Sequence, residues 1–560
     1  MARFSVSTWS KARRAALTIA LGCGPMVSPV SGQNAALGTI SFPNSGAAAA
    51  QPYFIEGVKF LHSFEWEDAA DSFRKAQAAD PTFALAYWGE ALSYTGGHHF
   101  PSDQDISAAR KALLKLGSSR AERVGKAKTD RERGYLNAVE VLYGEGDGRE
   151  RAQRYADAMG ALSEQFPDDD EAATLYALAL MRTQPRGHES TRVDLQAGAI
   201  ALRVFRKNGN HPGAVHYAVH AFDEPARAIV GLEAADVYAF LAPDAPHALH
   251  MPSHIYVQLG LWDKLSAANE RSYAASARRS ERKQLRSIEG QAYHAMFWLH
   301  YAYLMQGNFA KADEALARAA RHAKSVEAGP NRTGQIETMQ ARHTIETARW
   351  QVVDVSPLIA RIKAEPDRVT ERTTGATLLA AALSASRLGD AQSAELASGG
   401  LRDLVASMKA RRAFETRQVE IMALESTGMA QLARGDRTAA IKTLEQAASM
   451  EESMEPPSGP PGEQEDDPPI KPAHELLGEV LLEAGRPADA AKQFAIGLAR
   501  MPNRPRMLLG AARAAVQVND QATAQARYRQ LVNLPGGGPD RPGLEEAKAF
   551  AATASAQGGK

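Results

Sequence analysis

The chain has 560 residues, 44% of them apolar, enough for several ordinary domains or one long repeat array. Lys+Arg and Asp+Glu are both 65, so no net charge draws it to nucleic acid or to an anionic membrane surface. Alanine is abundant and aromatics make up only 7%, a mixture that favours helices packed closely on helices over sheets.

The N-terminus reads as an address and not as fold. Lys11, Arg13 and Arg14 precede AALTIALGCGPMV at 15–27, a short apolar run, and VSGQ at 30–33 ends in small residues suited to cleavage. The pattern predicts a signal peptide over 1–32 and a periplasmic or secreted mature protein. No other stretch approaches eighteen apolar residues, so no transmembrane segment is expected. Cys23, the only cysteine, lies inside the signal. Two readings follow: a discarded residue, or a lipobox-like ALGC at 20–23 that leaves an acylated Cys23 and a lipid anchor. Both leave the mature chain without a disulfide or a thiolate ligand.

Repeats come next. Gly57, Ala69, Phe73, Ala76 and Pro81 are spaced as the small–small–aromatic–small–proline skeleton of a tetratricopeptide repeat, a helix–turn–helix unit of 34 residues. Gly478, Ala490, Phe494 and Pro502 repeat it near the C-terminus. Gly428, Ala440 and Ala447 carry part of it, as do Tyr303, Ala312 and Ala319. Small residues are needed where paired helices cross closely, and proline ends the second helix. The expected fold is all-α: a right-handed α-solenoid of such repeats over about 50–535. The segment 454–473, MEPPSGPPGEQEDDPPIKPA, reads as a solvated Pro-rich loop, and 536–560 as a weakly ordered tail with little to bury.

Within 200–310 the histidines gather. HPGAVHYAVHAFDEP (211–225) and APHALHMPSHIYVQLGLW (245–262) hold six of the chain's 15. His216 and His250 lie one repeat apart, as do His220 and His254. GLWDKLSAANE sets the phase, with Gly260 and Trp262 at the usual glycine and aromatic of the turn. The four histidines then occupy positions 5 and 9 of adjacent first helices, His247 and His294 position 2, and Asp223 and Glu224 positions 12 and 13. These positions share about a 100° arc of the helix. In tetratricopeptide repeats that arc faces the concave groove, where ligands bind.

An i, i+4 histidine pair on one helix can meet another on its neighbour and close around a cation. The expected ligands are His216, His220, His250 and His254, with His211, His247, His294 and His98 as secondary candidates. Asp223, Glu224 and His247 are candidates for general base or for groups that orient the ligands. Neutral imidazoles beside carboxylates suit zinc, copper or iron better than calcium or magnesium. An open site of this kind supports hydrolytic or oxidative chemistry. The alternative is a non-enzymatic scaffold whose groove binds a peptide or protein. Pro252, between His250 and His254, predicts that the helix starts near Met251, with APHALH as an irregular lead-in.

Glu475, Glu479, Glu425 and Trp88 fall on the same strip; the carboxylates read as solvated groove residues and Trp88 as part of a groove wall. His300, at position 8, reads as a packing residue off the strip. His98 and His99, in GGHHFP, lie in a loop within reach of the groove. No G-x-S-x-G, phosphate loop, dinucleotide fingerprint or H-E-x-x-H is present.

The stretches HPGAVHYAVHAFDEP, APHALHMPSHIYVQLGLWD and KPAHELLGE resemble those of a group of exported bacterial tetratricopeptide-repeat proteins, over most of the mature chain. The resemblance implies the fold and singles out the histidines without naming a reaction. The chain departs from that group at GGHHFP, where N-H-P is expected.

Overall fold

The computed structural model describes residues 37–97, 100–184, 190–285, 288, 290–325, 330–411, 413, 416–463 and 467–558. The expected signal, Cys23, His98 and His99 lie outside the described residues. Among the described residues every regular element is a helix. None is long and apolar enough to cross a membrane.

The helices come as antiparallel pairs. The first pairs are α1 (Gln51–His62) with α2 (Trp66–Ala79) and α3 (Ala84–Leu92) with α4 (Asp103–Leu114), followed by a short α5 (Arg120–Gly125). Next come α6 (Asp130–Leu142) with α7 (Gly148–Gln165), α8 (Asp170–Arg182) with α9 (Thr191–Lys207), and α10 (Pro212–Ala221) with α11 (Ala228–Leu241). In the following pair the first helix is broken into α12 (Pro246–His250) and α13 (Pro252–Gln258), both ahead of α14 (Trp262–Arg282). Then follow α15 (Gly290–Gln306) with α16 (Phe309–Ser325), α17 (Pro330–Thr347), the short α18 (Ser356–Ala364), and α19 (Glu371–Arg387) with α20 (Ala391–Ala410), on which α18 packs. The last are α21 (Thr416–Ala433) with α22 (Arg437–Glu452), α23 (Ala473–Glu483) with α24 (Pro487–Arg500), α25 (Pro505–Gln517) with α26 (Gln521–Val532), and a closing α27 (Leu544–Gly558). Helices pack on their neighbours in chain order, which makes an all-α solenoid.

The repeat skeleton acts as its spacing predicts. A Cβ on Gly57 would lie 2.9 Å from the Phe73 ring, one on Gly478 would lie 2.7 Å from Phe494, and one on Gly428 2.8 Å from Leu444. Each glycine is thus the hollow into which the partner helix presses its large side chain. The turn inside a pair is equally regular. Two residues past the first helix the backbone turns left-handed, at Gly260, Gly389, Gly435, Gly485 and Asn519. At the same place in the first pair stands Phe64, with φ 57°. A left-handed backbone costs an L-residue about 1–2 kcal/mol.

The superhelix closes on itself. The Trp262 indole donates to the Asn503 carbonyl at 2.9 Å, and the amides of Gly538 and Asp540 donate to the carbonyls of Gln306 and Gly307 at 2.8 and 2.9 Å. Arg504, fully buried, joins Glu475 (2.5 Å) and Glu346. The first pair meets the middle repeats as well: Arg279 of α14 donates to Asp68 at 3.0 Å.

Several expectations fail, most of them because the superhelix closes. The described residues of 454–473 are not the solvated loop expected: Pro461, Asp467 and Lys471 are buried. The Arg342 guanidinium donates to the Pro461 carbonyl at 2.6 Å, and Gln418 to the Asp467 carbonyl at 2.6 Å. Glu475 and Glu425 are fully buried, not solvated. Glu475 pairs with Arg504 and Lys471, and Glu479 pairs with Lys471 at 2.7 Å. The tail is docked: the buried Arg541 donates to the carbonyls of Val532 (3.1 Å) and Leu534 (2.9 Å), and Ala547 of α27 is buried. Trp88 lies in the core against Phe42 and Tyr135 and walls no groove. PHALH, 246–250, is helical, as α12, with Ala245 its extended N-cap. Met251 keeps a helical backbone, and the break is only the amide hydrogen that Pro252 lacks.

Candidate metal centre

Three first helices in succession bring the histidines together. They do not form one group of four. His216 and His220 of α10 converge with His247 of α12, and His250 of α12 and His254 of α13 converge with His294 of α15. Within each triad the ligand atoms all lie within 4.8 Å of one another. The expectation of a single site shared by His216, His220, His250 and His254 is thereby corrected. Neighbouring first helices are staggered, so positions 5 and 9 of one repeat face position 2 of the next, not its positions 5 and 9. The same rule builds both triads.

Hydrogen bonds on the outer sides of the rings fix which nitrogen faces inward. His216 Nδ1 lies 2.6 Å from the His62 carbonyl oxygen, which only accepts, so Nδ1 carries the hydrogen. His250 Nδ1 lies 2.8 Å from Asn269 Oδ1. That oxygen is identified because Asn269 Nδ2 donates to Ser253 Oγ (2.8 Å) and the Leu265 carbonyl (2.9 Å). His254 Nδ1 donates to Asp223 Oδ2 at 2.8 Å, and His294 Nδ1 to Glu463 Oε1 at 3.1 Å. Four rings thus spend Nδ1 outward, and Nε2 of His216, His250 and His294 faces its triad.

Those nitrogens are close. His216 Nε2 is 3.1 Å from His220 Nε2 and 3.3 Å from His247 Nε2; His250 Nε2 is 3.0 Å from His294 Nε2. Ligands about 2.0–2.1 Å from one tetrahedral ion are about 3.3–3.4 Å from one another. Protonation would also relieve facing lone pairs, but burial opposes a cation here. It drives His247 down to about 3 and His250 well below the ordinary imidazole range, and the neighbouring histidines push both the same way. His254 is the exception: burial is the largest single influence and lowers it, but Asp223, with Glu463 and Asp467, raises it on balance. The Asp223 carboxylate makes the ring a stronger donor to a metal.

A third group, His62, Glu171 and His211, is fully buried and chemically different. His211 Nδ1 accepts the Ala214 amide at 3.2 Å, so its Nε2–H donates to Glu171 Oε1 at 3.1 Å. His62 Nδ1 accepts the Tyr217 hydroxyl at 2.9 Å and its Nε2–H donates to Glu171 Oε2 at 2.6 Å. Every ring nitrogen is used, and despite burial the two imidazoles hold the Glu171 carboxyl well below its usual range. This group is a buttress: it fixes His62, whose carbonyl orients His216. Gly213 makes room for it, since a Cβ there would lie 2.4 Å from His62 Nδ1.

No protein-family model matches the chain, and no curated protein matches it. Among solved structures it is similar to the TPR domain of P58(IPK), with 11% identity over 84% of this chain and 99% of that one, at a TM-score of 0.20. The repeat assignment rests on the helix pairs, the hollows and the turns described above.

The triads differ in access. His220 and His247 line a cleft of about 430 Å³ together with Phe64, Trp66, Glu65 and Arg279. The second triad is walled by Trp298, whose ring centroid lies 4.8, 4.6 and 5.8 Å from those of His250, His254 and His294. The Trp298 indole donates to the same Glu463 oxygen that receives His294 Nδ1.

Of the acid candidates, Asp223 holds His254. Glu224 turns away, to Arg227 at 3.3 Å. His247 is a member of the first triad and not a group behind it. His211 belongs to the buttress. His300 is buried, with Nε2 3.2 Å from His343 Nδ1. Sequence reasoning passed over Glu463, Asn269, Glu171, His62 and Phe64. His62 carried a signal, position 13 of the first repeat and hence on the groove arc. Glu463 carried none, since a proline-rich run has no periodicity to place it.

Proposed function

We propose that this chain is a helical-repeat metalloprotein that holds two zinc, copper or iron ions, one in each histidine triad. The observation that carries this reading is the ring orientation: four rings spend their Nδ1 hydrogens outward, on a carbonyl, an amide oxygen and two carboxylates, while Nε2 of His216, His250 and His294 faces the other rings of its triad. Three neutral imidazoles with a position left over is the ligand set of an ion that works as a Lewis acid or activates water or oxygen. The cleft beside His220 and His247 makes the first triad the one with room for a substrate. The alternative, a peptide seated in the groove, has less room at the second triad, where the chain's own Glu463 and Trp298 lie against the histidines. The sequence of residues 1–32 supports export, with acylation at Cys23 as its variant form. N-terminal sequencing of protein recovered from the native host checks this; an intact Met1 refutes export.

The test is elemental analysis of untagged protein. Two equivalents of metal are expected, one after His216→Ala or His250→Ala, and none after both. Metal-free wild-type protein that gains no stability from added zinc, copper or iron would refute the reading.

A further inference from the structure

We propose that Phe64 is a specificity gate over the first triad, passing slender oxygen or nitrogen donors to a metal held there and blocking ring-sized ones. The proposal deepens the metal reading above and rests on it. The left-handed place that Phe64 occupies is held by Gly260, Gly389, Gly435, Gly485 and Asn519 in other repeats. Those residues accept that backbone readily, whereas a bulky residue does so only under strain. Such strain persists where the side chain has a task.

The ring's surroundings show the task. Its centroid lies 4.4 Å from that of His216, 5.6 Å from His220 and 5.4 Å from His247, stacked on the last two. It lies on all three imidazoles of one triad, and it lines the cleft beside His220 and His247. Trp66 stacks on it at 4.5 Å, and Gly97 leaves it room, since a Cβ there would come within 2.9 Å. Phenylalanine offers no donor atom, so the ring adds no ligand to the triad. It limits the width of what reaches it. Packing alone would not ask for this: the residue is only half-buried and sits at the mouth of a cleft.

The test uses the full chain carrying His294→Ala, which leaves the first triad the only complete one. Cobalt(II) serves as the visible probe, titrated with azide, a slender donor, and with imidazole, a ring-sized one. The parent is expected to bind azide and to bind imidazole far more weakly. Phe64→Gly and Phe64→Asn, which install the residues of the other turns, should each tighten imidazole about tenfold or more and leave azide within about twofold. Equal imidazole affinity in parent and variants overturns the gate, and so does a parent that binds imidazole as tightly as azide, a result that needs no variant. A parent with no cobalt band removes the metal reading itself, and the gate with it, and is distinguishable from a gate failure by that missing band.

Discussion

Asp223→Asn should weaken metal binding at one triad and leave the other untouched. Asp223 accepts the Nδ1–H of His254 at 2.8 Å and raises that ring's basicity. Asparagine keeps the shape and an acceptor oxygen but loses the charge. Carboxylates behind ligand histidines are worth about 10–100-fold in metal affinity, or about 1.4–2.7 kcal/mol. The bond that orients the first triad's His216 runs to the His62 carbonyl, so the first triad should be unaffected. The assay is competition with a chromophoric zinc chelator, read as two release phases in the wild type. One phase should move by that factor and the other should hold. If both move together, or neither does, the assignment of separate triads with their own outer groups is wrong.

Gly213→Ala places a methyl 2.4 Å from His62 Nδ1, so it should destabilise the fold by about 1–3 kcal/mol in denaturant melts and weaken the first triad, not the second. Glu171→Gln removes the carboxylate that receives both buried imidazole donors and should cost about 1–3 kcal/mol. Because the folded pKa of Glu171 is depressed, its contribution is present above the ordinary glutamate range and lost as pH falls through and below it, so the wild type should approach the variant in acid. Glu425 has the opposite sign: burial first, then Glu451 and Glu475, push it well above the ordinary range, with Lys471 opposing. Its cost to stability grows as pH rises past the unfolded value, at about 1.4 kcal/mol per unit until the folded value is reached. Glu425→Gln should therefore be more stable than the wild type at pH 7, with the advantage vanishing toward pH 4 in thermal melts; a constant gap would contradict the assignment.

The fold could be read in the chain because it follows from short-range rules. Gly57 with Phe73 and Gly478 with Phe494 need only a fixed spacing and a close helix crossing. The triads were half legible. The 34-residue offset put the right residues on the right face, and position 2 was already singled out at His247 and His294. The grouping was not legible, because it depends on the stagger between neighbouring first helices, which no single-repeat pattern encodes. Glu463, Phe64 and the docked tail depend on closure of the superhelix, a long-range result. That closure also buries Glu475 and, within the proline-rich run, Pro461, Asp467 and Lys471. Pro252 signalled a lost hydrogen bond correctly but not its outcome, since Met251 stays helical and both halves keep their register.

The most direct measurement is anomalous X-ray diffraction from crystals of the intact chain grown with zinc. The account predicts two peaks, one about 2.0–2.1 Å from Nε2 of His216, His220 and His247, the other at the same distance from Nε2 of His250, His254 and His294. One peak shared by His216, His220, His250 and His254, a peak between His62 and Glu171, or no peak at either triad would contradict it.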